Sequence, residues 1–137
     1  MKNQLLFLLL LLNIVTFGQG TKPTKTTTTT SQEIAADAIK YADNNKEDEV
    51  TIDGKDVFIS GNDNRLTFKG TIGKIIITGK DNDILIESVN QIIVSGNGNF
   101  VSWEKSTNAS SKPIIQDKGG YNNIEKRSSD AMDRSDN

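Results

Sequence analysis

From Val50 onward, apolar and polar residues alternate with a period of two. "VTI", "DVFIS", "RLTF", "KIIIT", "DILI", "QIIVS", "FVSW" and "KPII" are short β-rich runs set apart by Gly, Asn and Asp. Ahead of them the period lengthens. In "SQEIAADAIKYADNN" (31–45), Ile34, Ala35, Ala38, Ile39 and Ala42 fall on one helical face, and Thr30 with Glu33 fits a capping box. The pattern predicts a helix over 32–45 and a repeat domain over 50–124. After Ile124 the chain, "EKRSSDAMDRSDN", is polar and aperiodic and reads as a disordered tail over 125–137.

The β-rich runs are copies of one unit. Gly61, Gly79, Gly96 and Gly120 align, each with an Asn three residues later (Asn64, Asn82, Asn99, Asn123), at steps of 18, 17 and 24 residues. The long last step holds "KSTNASSKP" (105–113), which reads as a loop between coils. An apolar triplet precedes each Gly, and an alternating pair follows each Asn, such as Leu66 and Phe68 or Ile84 and Ile86. Like strands match like strands, which suits a parallel β-solenoid in which each unit is one coil and equivalent strands stack. Ile72 and Val89, each three residues ahead of a triplet, suit inward corners. The expected fold is all-β: a small solenoid of about three coils with 17–18-residue repeats and one N-terminal helix packed on it. The alternative is an antiparallel meander or small barrel, with each G-x-x-N a hairpin turn. In either case Gly supplies φ > 0 at a corner, and Asn tolerates the same region and can bond to the copy above.

Strand alternation makes a further demand. If Val57 and Ile59, Ile75 and Ile77, and Ile92 and Val94 point inward, then Phe58, Ile76, Ile93 and Ile115 form an outward apolar stripe. The other strand's outward residues, Thr67, Leu85 and Ser102, make a much more polar face, and the predicted helix is the expected cover for the stripe. A protein partner, a second copy or a glycan on the surface stays open.

The units "ITGKDNDILI" (77–86) and "VSGNGNFVSW" (94–103) resemble the tandem V-x-G-x-x-N-x-V-x-V repeats of the bacterial domain-of-unknown-function family numbered 3060. The resemblance covers roughly residues 50–124. It implies a small parallel β-solenoid and an envelope location, and it carries over no catalytic residue. Lipid-anchored members carry a Cys that this chain lacks.

Composition narrows the chemistry. Sixteen basic and eighteen acidic residues spread along the chain give a net charge of −2, without the basic face that nucleic acid requires. There is no Cys and no His, which excludes disulfides, thiolate sites, a lipoprotein anchor and the commonest general base. Lys2, the apolar run Leu5–Leu12, and Thr16 and Gly18 before Gln19 read as a signal peptide over 1–18. The apolar stretch is shorter than the ~20 residues that span a bilayer, so no stable membrane anchor is expected after cleavage. "GTKPTKTTTTTS", within 19–31, reads as a Thr-rich linker.

Asp63, Asp81 and Asp83 faintly suggest calcium turns, but "GNGN" carries no acid, and no metal or other cofactor is expected. Asp56, Asp81, Asp83, Glu87 and Glu104 are the carboxylates open to a glycan-cleaving pair, and a few coils leave little cleft for one. The expected function is an exported, periplasmic or extracellular, non-enzymatic structural or binding module. A glycan-processing β-helix enzyme and a calcium-stiffened adhesive repeat are the alternatives.

Overall fold

The computed structural model describes residues 34–128. The expected signal peptide (1–18), the whole Thr-rich linker (19–31), the first two residues of the expected helix and residues 129–137 of the expected tail lie outside them. Eight strands follow in order: β1 Ile39–Tyr41, β2 Glu47–Asp53, β3 Val57–Ile59, β4 Arg65–Ile77, β5 Asp83–Val94, β6 Phe100–Lys105, β7 Ile114–Asp117 and β8 Asn123–Lys126. Every strand pairing is parallel, which a meander of hairpins would not give.

The registers stack residue 47 on 65, 83, 100 and 123, and residue 39 on 57, 75, 92 and 115. The chain therefore winds through about four coils rather than three. The additional coil is the first, made from the segment expected as a helix. Among the described residues there is no helix. Ala35 to Ala38 closes only a turn, with the Ala38 N–H on the Ala35 carbonyl at 3.1 Å. Ile39 and Tyr41 then alternate about Lys40 and lie in register with Val57 and Ile59. The helical spacing of 34–42 was compatible with a short period-two run, and the free sheet edge of β3 decides between them: pairing there buries Tyr41 to 7% exposure. The last strand extends through Lys126.

The core is a set of inward rows. Leu66, Ile84 and Val101 form one, Phe68, Ile86 and Trp103 the next; Ile72 with Val89 makes the third side. Val57, Ile75 and Ile92 form another row, and Ile59, Ile77 and Val94 the last. Most of these side chains are fully buried, and each contributes about 1.5–3 kcal/mol by leaving water. Between the 18-residue and 17-residue coils the register shifts from Phe68 to Thr71. Gly70, with φ of 78°, takes up the extra residue as a bulge, and its N–H donates to Glu87 Oε2 at 2.8 Å.

The first coil closes the rows with polar groups. Asp48 takes the place that Leu66 fills one coil on. Lys46 Nζ lies 3.5 Å from Asp48 Oδ2 and 5.2 Å from the Tyr41 ring centre. Tyr41 packs edge-on against Phe68 at 5.7 Å. Burial, then the neighbouring Asp48 carboxylate, raises the Tyr41 phenol above its usual range.

The corner glycines are required by contact, not by backbone angle. Gly61, Gly79, Gly96 and Gly119 do not have positive φ. A Cβ on Gly79 would lie 1.8 Å from the Gly61 carbonyl oxygen, and a Cβ on Gly61, Gly96 or Gly119 would lie 1.7 Å from the corresponding oxygen of the coil before. The left-handed position lies two residues on, at Asn45, Asp63, Asp81, Gly98 and Tyr121. Gly79→Ala is therefore expected to separate two coils and cost several kcal/mol, roughly the upper range of single substitutions. Gly54→Ala, where φ is 70° and nothing stands within 4 Å, should cost only about 1–2 kcal/mol of backbone strain. Urea unfolding followed by Trp103 fluorescence measures both; equal losses would refute the contact argument.

Candidate functional site

Each inner corner asparagine is pinned by the coils on both sides. Asn82 is 1% exposed and donates from Nδ2 to the Gly61 carbonyl at 3.0 Å and to Asn99 Oδ1 at 2.9 Å. Its Oδ1 accepts the Asn64 backbone N–H and Nδ2, both at 3.0 Å. Asn64 and Asn99 repeat the arrangement, Asn64 with Asp43 and Asn99 with Gly79. The last member is Asn122, whose Oδ1 accepts from Asn99 N at 2.9 Å and Nδ2 at 3.1 Å. The corner pair of the last unit is thus Gly119 and Asn122, where the sequence suggested Gly120 and Asn123. Asn123 starts β8, in register with Phe100, and Gly120 donates to Asn97 Oδ1 at 2.8 Å. A second, outer ladder includes Asn62 N on Asn44 Oδ1 at 2.7 Å and Lys80 N on Asn62 Oδ1 at 2.9 Å.

The proposed stripe is also revised at its end. Lys40, Phe58, Ile76, Ile93 and Gln116 share the outward row. Ile115 stands instead under Ile92, in an inward row. Ile76 and Ile93 are only 2% and 4% exposed although they lie outside the inner core cluster, and Phe58 is half-buried. The row therefore offers no broad apolar patch, and the segment expected as its covering helix instead forms β1, which extends the row with Lys40 in register with Phe58.

A second outward row lies on the strand after the corner, where Thr67 and Leu85 are half-buried and Ser102 is 7% exposed. Thr67, Leu85 and Ser102 are in register and alternate with the buried rows, so they form a floor of short side chains running along the solenoid axis. Longer residues flank it: Arg65, Asp83 and Phe100 on one side, Lys69, Glu87 and Glu104 on the other. Two adjoining hollows of about 320 and 260 Å³ share Thr67 and Leu85. Arg65 Nε meets Asp83 Oδ2 at 3.5 Å, Lys69 pairs with Glu49 at 2.6 Å, and Lys105 with Glu87 at 3.7 Å. The hydroxyls of Thr67 and Ser102 have no hydrogen-bond partner among the described residues, and neither Glu104 nor Arg127 has an ion pair there. Phe100 is 38% exposed. Alternation alone marked Thr67, Leu85 and Ser102 as outward; the flanking rows needed the register.

The carboxylates have structural partners or stand apart. The Gly70 N–H holds the Glu87 carboxyl below its usual range against the opposing effect of desolvation, with Lys105 and then Lys69 adding to the lowering. Asp56 accepts the Lys74 N–H at 2.9 Å and pairs with its Nζ at 3.3 Å. Asp63 and Asp81 occupy the left-handed corner positions. Among the described residues no group of three or more carboxylates is close enough to hold a metal ion.

Stacked G-x-x-N corners closing short coils define a parallel β-solenoid of the repeat type. The family described as "Protein of unknown function (DUF3060)" matches residues 59–120 of the chain. No curated protein and no solved structure matches the chain.

Asn82→Ala should leave the Asn64 N–H and the Gly61 carbonyl without their partner, while Asn99 Oδ1 keeps only the backbone N–H of residue 82. With each buried orphan costing about 1–3 kcal/mol, the variant is expected to lose several kcal/mol or fail to fold. A midpoint unchanged in urea would contradict the ladder. The pH dependence has a defined sign. Because the Glu87 pKa is depressed in the folded chain, its contribution is present above the unfolded value, near 4.5, and is lost as pH falls through the lower folded value. Glu87→Gln should therefore flatten the acid limb of a Tm-versus-pH curve below pH ~4.5; an unaltered limb would show that the Gly70 contact carries no such linkage.

Proposed function

We propose that the chain is an exported, non-enzymatic binding module that holds an extended ligand along the Thr67–Leu85–Ser102 floor. The observation that carries this reading is the floor itself: unpaired hydroxyls and one apolar side chain, lined up on a rigid sheet between two rows of long side chains. A protein in which corner polar groups are closely paired leaves these two recessed hydroxyls without a partner among the described residues. The rungs repeat about every 4.8 Å, so a linear polymer laid along the axis meets one outward side chain of the floor per rung. Hydroxyls, carboxylates and a guanidinium beside the exposed Phe100 edge suit a glycan chain, which offers hydroxyls to the first three and C–H faces to the ring. The leader-like residues 1–18 support export, and with it access to envelope polysaccharide. Glu87, held as a carboxylate by Gly70 and two lysines, is poorly suited to donate a proton, which favours binding over glycan cleavage.

Co-sedimentation with insoluble envelope polysaccharide tests the reading. The wild-type chain is expected in the pellet, and Leu85→Arg, which fills the floor without touching the core, in the supernatant with an unchanged Tm. Equal partition of the two proteins would overturn the assigned surface, and release of reducing ends from the polysaccharide would make the chain an enzyme.

A further inference from the structure

The two ends of the solenoid differ in what they can accept. In the first coil the corner positions are Asp43 and Lys46, and the first inward position is Asp48. A coil stacked before this one in the same register would bring its corner carbonyl to where Asp43 already carries a Cβ. Within the solenoid that separation is 1.7–1.8 Å and only Gly meets it. Asp48 would further set a carboxylate against an apolar row.

The last coil is unfinished in each of these respects. The carbonyls of Asp43, Gly61, Gly79 and Gly96 each accept an asparagine Nδ2 from the next coil. The Gly119 carbonyl, their counterpart, receives none among the described residues. Likewise the N–H groups of Asn64, Asn82 and Asn99 donate to the next asparagine, while the Asn122 N–H has no acceptor there. Asp117 Oδ1 stands in for part of the missing rung, accepting Asn122 Nδ2 at 2.9 Å and Gly119 N at 3.0 Å. Ile115 is 43% exposed in an inward row, and among the described residues β7 and β8 each pair on one side only. The indole N–H of buried Trp103, at this end of the core, also lacks a partner.

We propose that the C-terminal end of the solenoid is a docking surface for a G-x-x-N strand segment of another chain, added as one further parallel rung. The unmet groups specify that partner. Its Asn accepts the Asn122 N–H and donates to the Gly119 carbonyl, displacing Asp117. Its Gly allows the close approach, and its apolar residues cover Ile115 and Ile124. This is strand addition to an open sheet edge, with side-chain rows giving the selectivity. The first coil of a second copy does not fit, because of Asp43 and Asp48, so the surface does not propagate filaments of this chain.

The chain's own third coil supplies a probe. A synthetic peptide of residues 75–88, "IIITGKDNDILIES", is titrated into the full chain while the fluorescence of Trp103, its one tryptophan, is recorded. Saturable binding is expected, weakened by about tenfold or more when the peptide carries Gly79→Ala or Asn82→Ala. The protein variant Ile115→Lys should lose it as well; the altered peptides act on wild-type protein, so the test survives if that variant does not fold. No saturable signal, equal binding of the altered peptides, or concentration-dependent oligomers of the chain alone in sedimentation would each overturn the proposal.

Discussion

The structure depends on how closely one coil's corner carbonyl lies over the next coil's glycine. That contact leaves room for a hydrogen atom and nothing larger. It brings the asparagine amide within reach of both the carbonyl of the coil before and the amide oxygen of the coil after. Once the corner is fixed, the strands leaving it are locked in register, and a slip of one residue would turn every inward row outward. The apolar rows supply most of the stabilising free energy, but they would tolerate several registers of Ile on Ile. The corner selects one.

The same constraint explains what the sequence disclosed and what it hid. A Gly and an Asn held at fixed offset were visible because three consecutive coils need both. The parallel solenoid and the outward direction of Thr67, Leu85 and Ser102 followed from them. The first coil was hidden because no coil precedes it among the described residues. Asp43 and Lys46 occupy the two corner positions without penalty, so no motif marks them, and Ile39 and Tyr41 lie in a stretch whose spacing also suits a helix. Local pattern cannot decide between the two in so short a run; the exposed edge of β3 does. In the last unit, "GGYNN" offers two alignments one residue apart, and only the hydrogen bonds from Asn99 choose Asn122. That one-residue difference also moves Ile115 from the outward stripe into an inward row.

The role assigned to glycine changed for a physical reason as well. A repeated corner glycine suggests positive φ, yet the left-handed turn falls two residues later, on Asp63 and Asp81. Short polar side chains adopt that region at modest cost, whereas no side chain fits beneath a carbonyl less than 2 Å from its Cβ. The acids that looked like calcium ligands are therefore turn residues, and the glycines that looked like turn residues are packing residues.

A repeat that stacks through unsatisfied donors and acceptors must stop somewhere, and each stop leaves different groups behind. Because donation runs from each asparagine N–H toward the following coil, the first coil ends on a donor already used, Lys46 N to Asn64 Oδ1 at 2.8 Å. The last coil ends on one still unused. The apolar rows follow the same polarity: Asp48, Lys46 and Tyr41 cover them at the start, while Ile115 at the end remains open and Lys126, 5.7 Å from the Trp103 ring, covers only one side. A solenoid built on a directional ladder cannot have two equivalent ends. One end is closed by side chains that forbid a further coil, and the other carries the chemistry that would receive one.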